Sequence, residues 1–331
     1  MLTRPELFPR LSANGVKRRK RFQSGNHLMR LEQTQMLMPF PDAGRINVPP
    51  ELARELLEAA ERLPLYDNKE FYSSALQALV LERVREACRD GLEWLVDQIR
   101  ERVSRRPYCA LVRGLRFDDG NRLFVAVNRA FGELVAPPYE KPRAQLVHYV
   151  QPSTDIRSSR GGQESERLHT DTADWETPVE LISMVCIRAD SGGGGRSRIL
   201  DVDTVRDEVK GRLGTRTLAL LESEQIPWRL APYFGGSVKW RTVLTESGMC
   251  WRRYTINLAL DSCGLKLSDE MLASLDAFED VISNASRTVD FLMREGELLF
   301  TDNTRTVHAR TPIEGGGASD RLMLRSWIRT P

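Results

Sequence analysis

Two side chains that could do chemistry together, His169 and Asp171, stand two residues apart in the segment LHTDTADW. Imidazole nitrogen and carboxylate oxygen both bind transition metals, and at this spacing on an extended segment both side chains project from one face. The spacing alone is a weak signal: the chain has 46 acids and four histidines, so each histidine has roughly a 14% chance of an acid two places on, and short motifs arise by chance. The pair therefore needs a third partner before it indicates a metal site.

A distal segment, DNTRTVHARTPIEGGGASDRLMLRSWI, supplies a third candidate ligand in His308 and two arginines beyond it, Arg321 and Arg325. On a strand the two arginines share one face, because side chains alternate. A buried guanidinium is costly unless it meets an anion, and its forked donors bind a carboxylate at two points. The arginines therefore predict either a bound carboxylate or internal salt bridges, and this segment leaves both interpretations open.

Two histidines and one carboxylate form the facial triad of non-haem Fe(II) oxygenases, which leaves positions of the metal open for reactants. An arginine shortly after the second histidine is what a 2-oxoglutarate cosubstrate needs, since its keto-acid end chelates iron and its far carboxylate needs a cation. The residues thus predict an iron centre that uses 2-oxoglutarate and O₂.

Composition limits the partners that this centre can serve. The chain has 331 residues, 41% of them hydrophobic, and 48 basic residues against 46 acidic ones give a net charge of +2. This composition predicts a globular protein, and the small net charge gives no strong electrostatic attraction to nucleic acid or membrane. We therefore expect a small-molecule substrate. The five cysteines are scattered without a CxxC pair, which favours reduced thiols. The sequence shows no apolar leader and no apolar run long enough to span a membrane, so we expect a cytoplasmic protein. The oligomeric state is not readable from the sequence.

The chain divides into three stretches that differ in composition and in hydrophobic periodicity. Residues 1–35 are basic, with KRRKR at 17–21, and we predict a flexible segment of unassigned role. Residues 36–107 predict a helical elaboration, with a long helix from about 70 to 103 whose apolar residues recur every three or four positions. Residues 108–331 predict a β core, so 36–331 is expected to form a single domain.

The β core is predicted from short runs rich in β-branched and aromatic residues, separated by helical pieces near 119–134, 203–222 and 268–284. This order favours a mainly β, α+β fold: a β barrel or jelly roll with flanking helices. The runs are YCALVRGL, AQLVHYV, VELISMVCIR, SRILDV, SVKWRTVL, MCWRRYTINLAL, RTVDFLM, ELLFTD and RLMLRSWI.

The segment 108–328 resembles the TauD/TfdA superfamily of Fe(II)/2-oxoglutarate dioxygenases and, within it, the clavaminate synthase-like amino-acid hydroxylases. The matching elements, in the order that the family has them, are YCALVRGL, LHTDTADW, VCIRAD, DNTRTVHARTPI and DRLMLRSWI.

The resemblance implies a double-stranded β-helix core, of the jelly-roll or cupin-like kind, and a catalytic iron on His169, Asp171 and His308. It also implies that Arg321 binds the far carboxylate of 2-oxoglutarate, with Ser197 in GGGGRSR offering a hydroxyl to the same group. The reaction implied is hydroxylation of an unactivated C–H bond in an amino acid or a related molecule, within natural-product biosynthesis such as that of antibiotics, while 2-oxoglutarate becomes succinate and CO₂.

The substrate contacts are implied less directly. Arg325 corresponds to a position where several relatives bind an acidic group of the substrate, and Asp174 and Trp175 follow the HxD pair where relatives form the pocket wall. The local sequence HTDTADW departs from the HTEDAF-like pattern of many amino-acid hydroxylases, so the identity of the substrate is left open.

Several alternatives stay open or are disfavoured at this point. Desaturation or cyclisation of a carrier-bound or natural-product intermediate needs no change of motif. Radical halogenation is disfavoured because Asp171 occupies the position where a halogenase has a small residue. A non-catalytic β-barrel binding protein would be expected to lack a ligand or Arg321, and a nucleic-acid demethylase would need a basic, aromatic groove.

Overall fold

The computed structural model describes residues 38–136, 146–152, 163–314 and 321–331. All of them fall within one compact unit that spans 35–331. The basic segment predicted at 1–35 lies outside the described residues, and the proposed division at 107/108 stays a prediction.

Three of the seven helices of the described residues, α2, α5 and α7 as bounded below, begin at a side chain that caps them. The side chains of Ser73, Asp201 and Ser268 each accept a hydrogen bond from the backbone N–H three residues on, at 2.9–3.2 Å, which satisfies a donor that a helix leaves unpaired. The helices are α1 Pro50–Glu61, α2 Ser74–Ala87, α3 Arg89–Val103, α4 Arg122–Arg129, α5 Val202–Ser223 (interrupted at Gly214), α6 Arg253–Cys263 and α7 Asp269–Ser283.

The strands of the described residues form one large sheet and several smaller ones. They are β1 Arg45–Asn47, β2 Cys109–Arg113, β3 Glu133–Val135, β4 His148–Val150, β5 Leu181–Arg188, β6 Ser197–Asp201, β7 Ile226–Arg229, β8 Val238–Arg241, β9 Leu244–Thr245, β10 Gly248–Met249, β11 Val289–Phe291, β12 Leu298–Asp302, β13 Thr306–Arg310 and β14 Leu322–Arg329.

The large sheet has the order β1-β2-β12-β5-β14-β3, with β4 also paired to β14, and every pairing is antiparallel except β1 with β2. A three-stranded antiparallel sheet has the order β11-β6-β13, and β7–β8 and β9–β10 form separate two-stranded sheets.

The two faces of the large sheet pack against different partners. On β14, Leu324 joins the apolar cluster that contains the N-terminal helices, whereas Met323 joins a cluster shared with Ile199 and Phe291 of the three-stranded sheet. Because side chains alternate along a strand, Arg325 lies on the same face as Met323. The alternation therefore directs this arginine towards the space between the sheets.

Two predicted elements are wrong. The helix expected over 70–103 is two helices, broken at Cys88, whose backbone (φ −147°, ψ 58°) is not helical; a single such residue leaves the apolar spacing almost unchanged, so periodicity does not reveal it. The run MCWRRYTINLAL was expected to be a strand but contains α6, with Thr255, Ile256 and Ala259 buried at helical spacing. Its β-branched residues misled because packing of one helical face outweighs local propensity. No helix among the described residues is long and apolar enough to cross a membrane.

Candidate metal centre and active site

The backbone holds the two candidate histidines side by side. His169 forms an isolated antiparallel bridge with His308 of β13, in which each N–H donates to the other residue's carbonyl, at 3.0 and 2.9 Å. The two rings lie 4.7 Å apart, centroid to centroid. A single bridge thus joins the two distant motifs.

The ligand atoms of His169, Asp171 and His308 converge. Asp171 Oδ1 lies 3.5 Å from His169 Nε2 and 3.7 Å from His308 Nε2. The three candidate ligand atoms all lie within 4.8 Å of one another. The site predicted from the spacing is therefore assembled as a three-residue set that one ion can share.

The state of each imidazole fits metal binding. His169 Nδ1 lies 2.7 Å from the carbonyl of Arg167, so Nδ1 carries the proton and donates it, which leaves the lone pair on Nε2, towards Asp171. Burial lowers the pKa of His169 to about 4, so the ring is neutral at neutral pH. His308 Nδ1 is buried and has no hydrogen-bond partner among the described residues, while its Nε2 faces the carboxylate.

Asp171 is held through one of its two oxygens. Its Oδ2 accepts from Arg325 at 3.1 Å and from the indole N–H of Trp327 at 2.7 Å. Burial acts to raise the pKa of Asp171, but the Arg325 charge and the two neighbouring histidines outweigh it and hold that pKa well below its usual 3.8. The carboxylate is therefore ionised, with Oδ1 directed at the histidines.

The turn that carries Asp171 is fixed by a residue that sequence reasoning did not identify, Asn303. Its Oδ1 accepts from the Asp171 N–H at 2.8 Å, and its Nδ2 donates to the carbonyls of Asp171 and Val179, at 3.0 and 2.8 Å. Thr172 adopts a left-handed backbone, φ 55°, a conformation that costs energy for a residue with a branched side chain and that surrounding contacts must impose. The only signal in the sequence was an amide directly after β12, within the motif that also contains His308.

A smaller cavity lies on the histidine side of this set and contains the predicted cosubstrate residues. Its lining includes His169, His308, Ser197, Arg310 and Arg321. Arg321 is only 5% exposed, and burial, with the nearby charge of Arg310, lowers its pKa to about 10. The structure thus brings both predicted 2-oxoglutarate residues, Arg321 and Ser197, next to the candidate metal ligands.

A glycine permits the approach of Arg321. Gly195 has φ +62°, and a Cβ added to it would lie 2.7 Å from Cδ and Nε of Arg321. Only glycine fits there without displacing the guanidinium. Gly195 therefore helps to shape the small cavity through Arg321.

A larger cavity of about 690 Å³ lies on the other side of Asp171. The predicted pocket residues Asp174 and Trp175 both line it. Trp175 packs its ring 5.5 Å from that of Trp327 and 6.5 Å from that of Tyr233. Burial raises the pKa of Asp174, and the charge of Arg252 opposes this shift.

Arg325 lines the smaller cavity and forms a salt bridge with Asp171, N to O 3.1 Å. The internal salt bridge that was one predicted alternative is therefore present. The predicted contact of Arg325 with a substrate carboxylate stays a prediction.

Comparison with known proteins gives the same family. Residues 89–327 match the family model described as taurine catabolism dioxygenase TauD, TfdA family. Asparagine oxygenase, solved with Fe(II), 2S,3S-3-hydroxyasparagine and succinate, is similar in fold at 18% identity, with a TM-score of 0.65 over 87% of this chain and 94% of that one.

A second solved protein, the non-heme iron oxygenase OrfP, gives a TM-score of 0.66 at 18% identity in its complex with Fe and alpha-ketoglutaric acid, over 87% of this chain and 94% of that one. OrfP has also been solved with Fe, succinate and (3R,4R)-dihydroxy-L-Arg, at 14% identity and a TM-score of 0.64. At these identities the likeness establishes the fold, whereas the family model covers most of the chain and confirms the predicted resemblance and dioxygenase class. The chain belongs to the TauD, TfdA family of dioxygenases.

Proposed function

We propose that this protein is an Fe(II)/2-oxoglutarate-dependent oxygenase that hydroxylates an unactivated C–H bond of an amino acid or an amino-acid-derived small molecule. The observation on which the proposal rests is the convergence of His169, Asp171 and His308 between two cavities, one of which contains the buried cation Arg321.

The donor set fits Fe(II). Two imidazoles and one carboxylate are the ligands of the facial triad. His169 is neutral with its lone pair on Nε2, and Asp171 is ionised with Oδ1 towards both histidines. These three residues would hold the metal and leave its remaining positions to reactants.

The lining of the smaller cavity matches the charge of the cosubstrate. The Arg321 guanidinium would bind the far carboxylate of 2-oxoglutarate, and the hydroxyl of Ser197, at the start of β6, would donate to the same group. When bound, Fe(II) with 2-oxoglutarate supplies the oxidising power: O₂ is consumed, 2-oxoglutarate becomes succinate and CO₂, and one oxygen atom enters the substrate C–H bond.

The chain's own residues position the reactants and exclude water. Arg325 and Trp327 fix Asp171 through Oδ2, so the carboxylate cannot rotate away from the histidines. Trp175 and Trp327 present apolar ring surface to the larger cavity directly beside Asp171. A target carbon held against these rings is kept close to the metal in a site with little water, as oxidation of an unactivated bond requires.

An amino-acid substrate is supported by the fold neighbours, which were solved with hydroxylated asparagine and arginine. Within the proposal, Asp174 and Trp175 contact the substrate from the wall of the larger cavity. Arg325 would bind an acidic group of the substrate from the smaller cavity, next to Asp171. Desaturation or cyclisation, a carrier-bound substrate, a cytoplasmic location and a place in antibiotic biosynthesis remain predictions.

The architecture supports a finer statement of the fold. We infer that the large sheet and the three-stranded sheet, which share an apolar cluster, form a double-stranded β-helix of the jelly-roll kind.

Turnover in the presence of isotopically labelled O₂ tests the proposal. Purified protein with Fe(II), 2-oxoglutarate and a panel of L-amino acids is expected to release succinate only with a suitable amino acid, and the product is expected to contain one labelled oxygen atom. His308→Ala serves as the metal-site control and is expected to abolish both signals. Succinate release that is the same in wild type and His308→Ala would contradict the proposal.

A further inference from the structure

The larger cavity contains two positive charges that the proposed function does not use. We infer that Arg229 and Arg252 bind a second acidic group of the substrate, so that the substrate is an amino dicarboxylate rather than a neutral or basic amino acid. This inference rests on the proposed function for the reaction, but not for the binding.

The charges of the residues that line the larger cavity do not sum to zero. They are Asp171, Asp174, Arg229 and Arg252. Asp171 is already paired with Arg325, which lines the other cavity. The remaining three leave the wall with one net positive charge, before any metal cation beside Asp171 is counted.

Neither arginine pairs with a carboxylate in the part of the chain that the structure describes. Arg229 donates to the thiol of Cys263 at 3.0 Å, and sulfur is a weak acceptor that does not neutralise the charge. Arg252 forms no side-chain hydrogen bond with a described residue, although it lies near enough to Asp174 and His169 to influence the pKa of both. Its neighbour Arg253, which points elsewhere, does pair with a carboxylate, that of Asp276.

The start of α6 adds to the positive field. Arg252 is the residue before this helix, and Tyr254 and Thr255 of its first turn also line the cavity. The N-terminus of a helix carries a partial positive charge and unpaired backbone N–H groups, which favour an anion. Two independent features, unpaired guanidinium groups and a helix N-terminus, thus meet at the same wall.

The wall also has a place for an ammonium group. Asp174 lines the same cavity and forms no ion pair with a described residue, so its carboxylate is available to a positive charge. In a substrate with one ammonium and two carboxylates, the ammonium therefore matches Asp174, and the second carboxylate matches the two arginines. A basic side chain, by contrast, would bring a second positive charge towards Arg252.

Equilibrium binding tests this assignment without turnover. The full chain is loaded anaerobically with Fe(II) and 2-oxoglutarate and titrated calorimetrically with L-aspartate, L-glutamate and L-2-aminoadipate, and with L-asparagine, L-glutamine and L-lysine for comparison. At least one dicarboxylate is expected to bind about tenfold or more tightly than its amide or than lysine, as a charge-assisted contact implies.

Variants locate the effect. Arg252→Gln and Arg229→Gln are each expected to raise the dissociation constant of the preferred dicarboxylate about tenfold, with little change for the amides. Arg253→Gln is the matched control, because its side chain pairs with Asp276 outside the cavity, and it is expected to leave both constants unchanged. Arg252→Glu is expected to reverse the preference towards L-lysine.

The outcomes separate the two proposals. Amides or lysine binding as tightly as the dicarboxylates, no amino acid binding at all, or no effect of either glutamine variant would each overturn the inference. The absorption band of the Fe(II)–2-oxoglutarate complex, recorded on the same samples, reports on the proposed function alone. A missing band with selective dicarboxylate binding would reject the proposed function and leave the inference standing.

Discussion

The two cavities on either side of Asp171 are built in different ways. The smaller one is lined by residues of regular strands, including Ser197 of β6 and His308 of β13, with Arg321 directly before β14. The larger one is lined mostly by the turn after His169, the residues after β7 and the start of α6.

This difference indicates which ligand site the common fold determines and which site can change from one family member to another. Strand positions are fixed by pairing and by packing between sheets, so the cosubstrate side is determined by the fold. Loop and helix-start positions can change without disturbing the two main sheets, and here Arg252 directly precedes α6, while Arg229 is the last residue of β7, outside those sheets. The comparison predicts that variants on the two sides alter different ligands.

The largest effect is expected at the residue between the cavities. Asp171→Asn removes a charged partner of the buried Arg325, so the free energy of unfolding should fall by about 3 kcal/mol, and iron binding should be lost. Urea unfolding of the metal-free protein and Fe(II) titration check the two parts.

Asp118→Asn is the matched control for this variant. Asp118 and Arg122 also form a buried pair, at 2.8 Å, but outside the site. We expect a comparable loss of stability with normal iron binding. If Asp171→Asn still bound iron as wild type does, Asp171 would not be a ligand.

The next largest effects are expected on ligand affinity, and they should differ between the two cavities. Arg321→Gln should raise the concentration of 2-oxoglutarate needed for half-saturation about 100-fold, because a charge-assisted contact is lost, while amino-acid affinity stays near that of wild type. Arg252→Gln should show the reverse pattern. If either variant weakened both ligands equally, the two cavities would not be separate sites.

A variant of Trp327 tests the hydrogen bond that holds Asp171 without changing the charge of Asp171 or Arg325. Trp327→Phe removes the indole N–H that donates to Oδ2 at 2.7 Å, and the free energy of unfolding should fall by about 1.5 kcal/mol, with weaker iron binding. Trp228→Phe removes a similar bond, but to the backbone carbonyl of Arg241, at 3.1 Å. That control should affect stability alone, and weakened iron binding in both variants would argue against a specific role for Trp327.

The smallest effect on stability is expected at Gly195. Gly195→Ala adds a methyl group against Arg321 in a left-handed backbone, so stability should fall by about 1 kcal/mol while 2-oxoglutarate binds more weakly. Gly193→Ala meets the same backbone strain, φ +81°, with nothing within 4 Å of the added atom. Titration with 2-oxoglutarate should therefore distinguish the two variants, and equal affinities would show that Gly195 does not position Arg321.

The sequence was informative where chemistry and strand alternation coincide. His169, Asp171, His308 and Arg321 could be named because ligand types and a family pattern point to them. Asn303 could not, because its role depends on three hydrogen bonds to backbone groups that are distant in the sequence.

The larger cavity was hidden for a further reason. Arg252 lies in a run whose β-branched residues predicted a strand, and as a strand residue it would have had no relation to the site. Only the start of α6 places it in the cavity wall. Likewise, the sequence pattern could not show that Arg325 lies 3.1 Å from Asp171.

The central claim is that His169, Asp171 and His308 hold iron next to a 2-oxoglutarate site. Anaerobic titration of the metal-free protein with Fe(II) and 2-oxoglutarate tests it most directly, by the weak metal-to-ligand charge-transfer absorption in the green part of the visible spectrum. We predict that the band appears in wild type, is absent in His169→Ala and needs far more 2-oxoglutarate in Arg321→Gln. Wild-type protein that shows no band at saturating iron and 2-oxoglutarate would contradict the account.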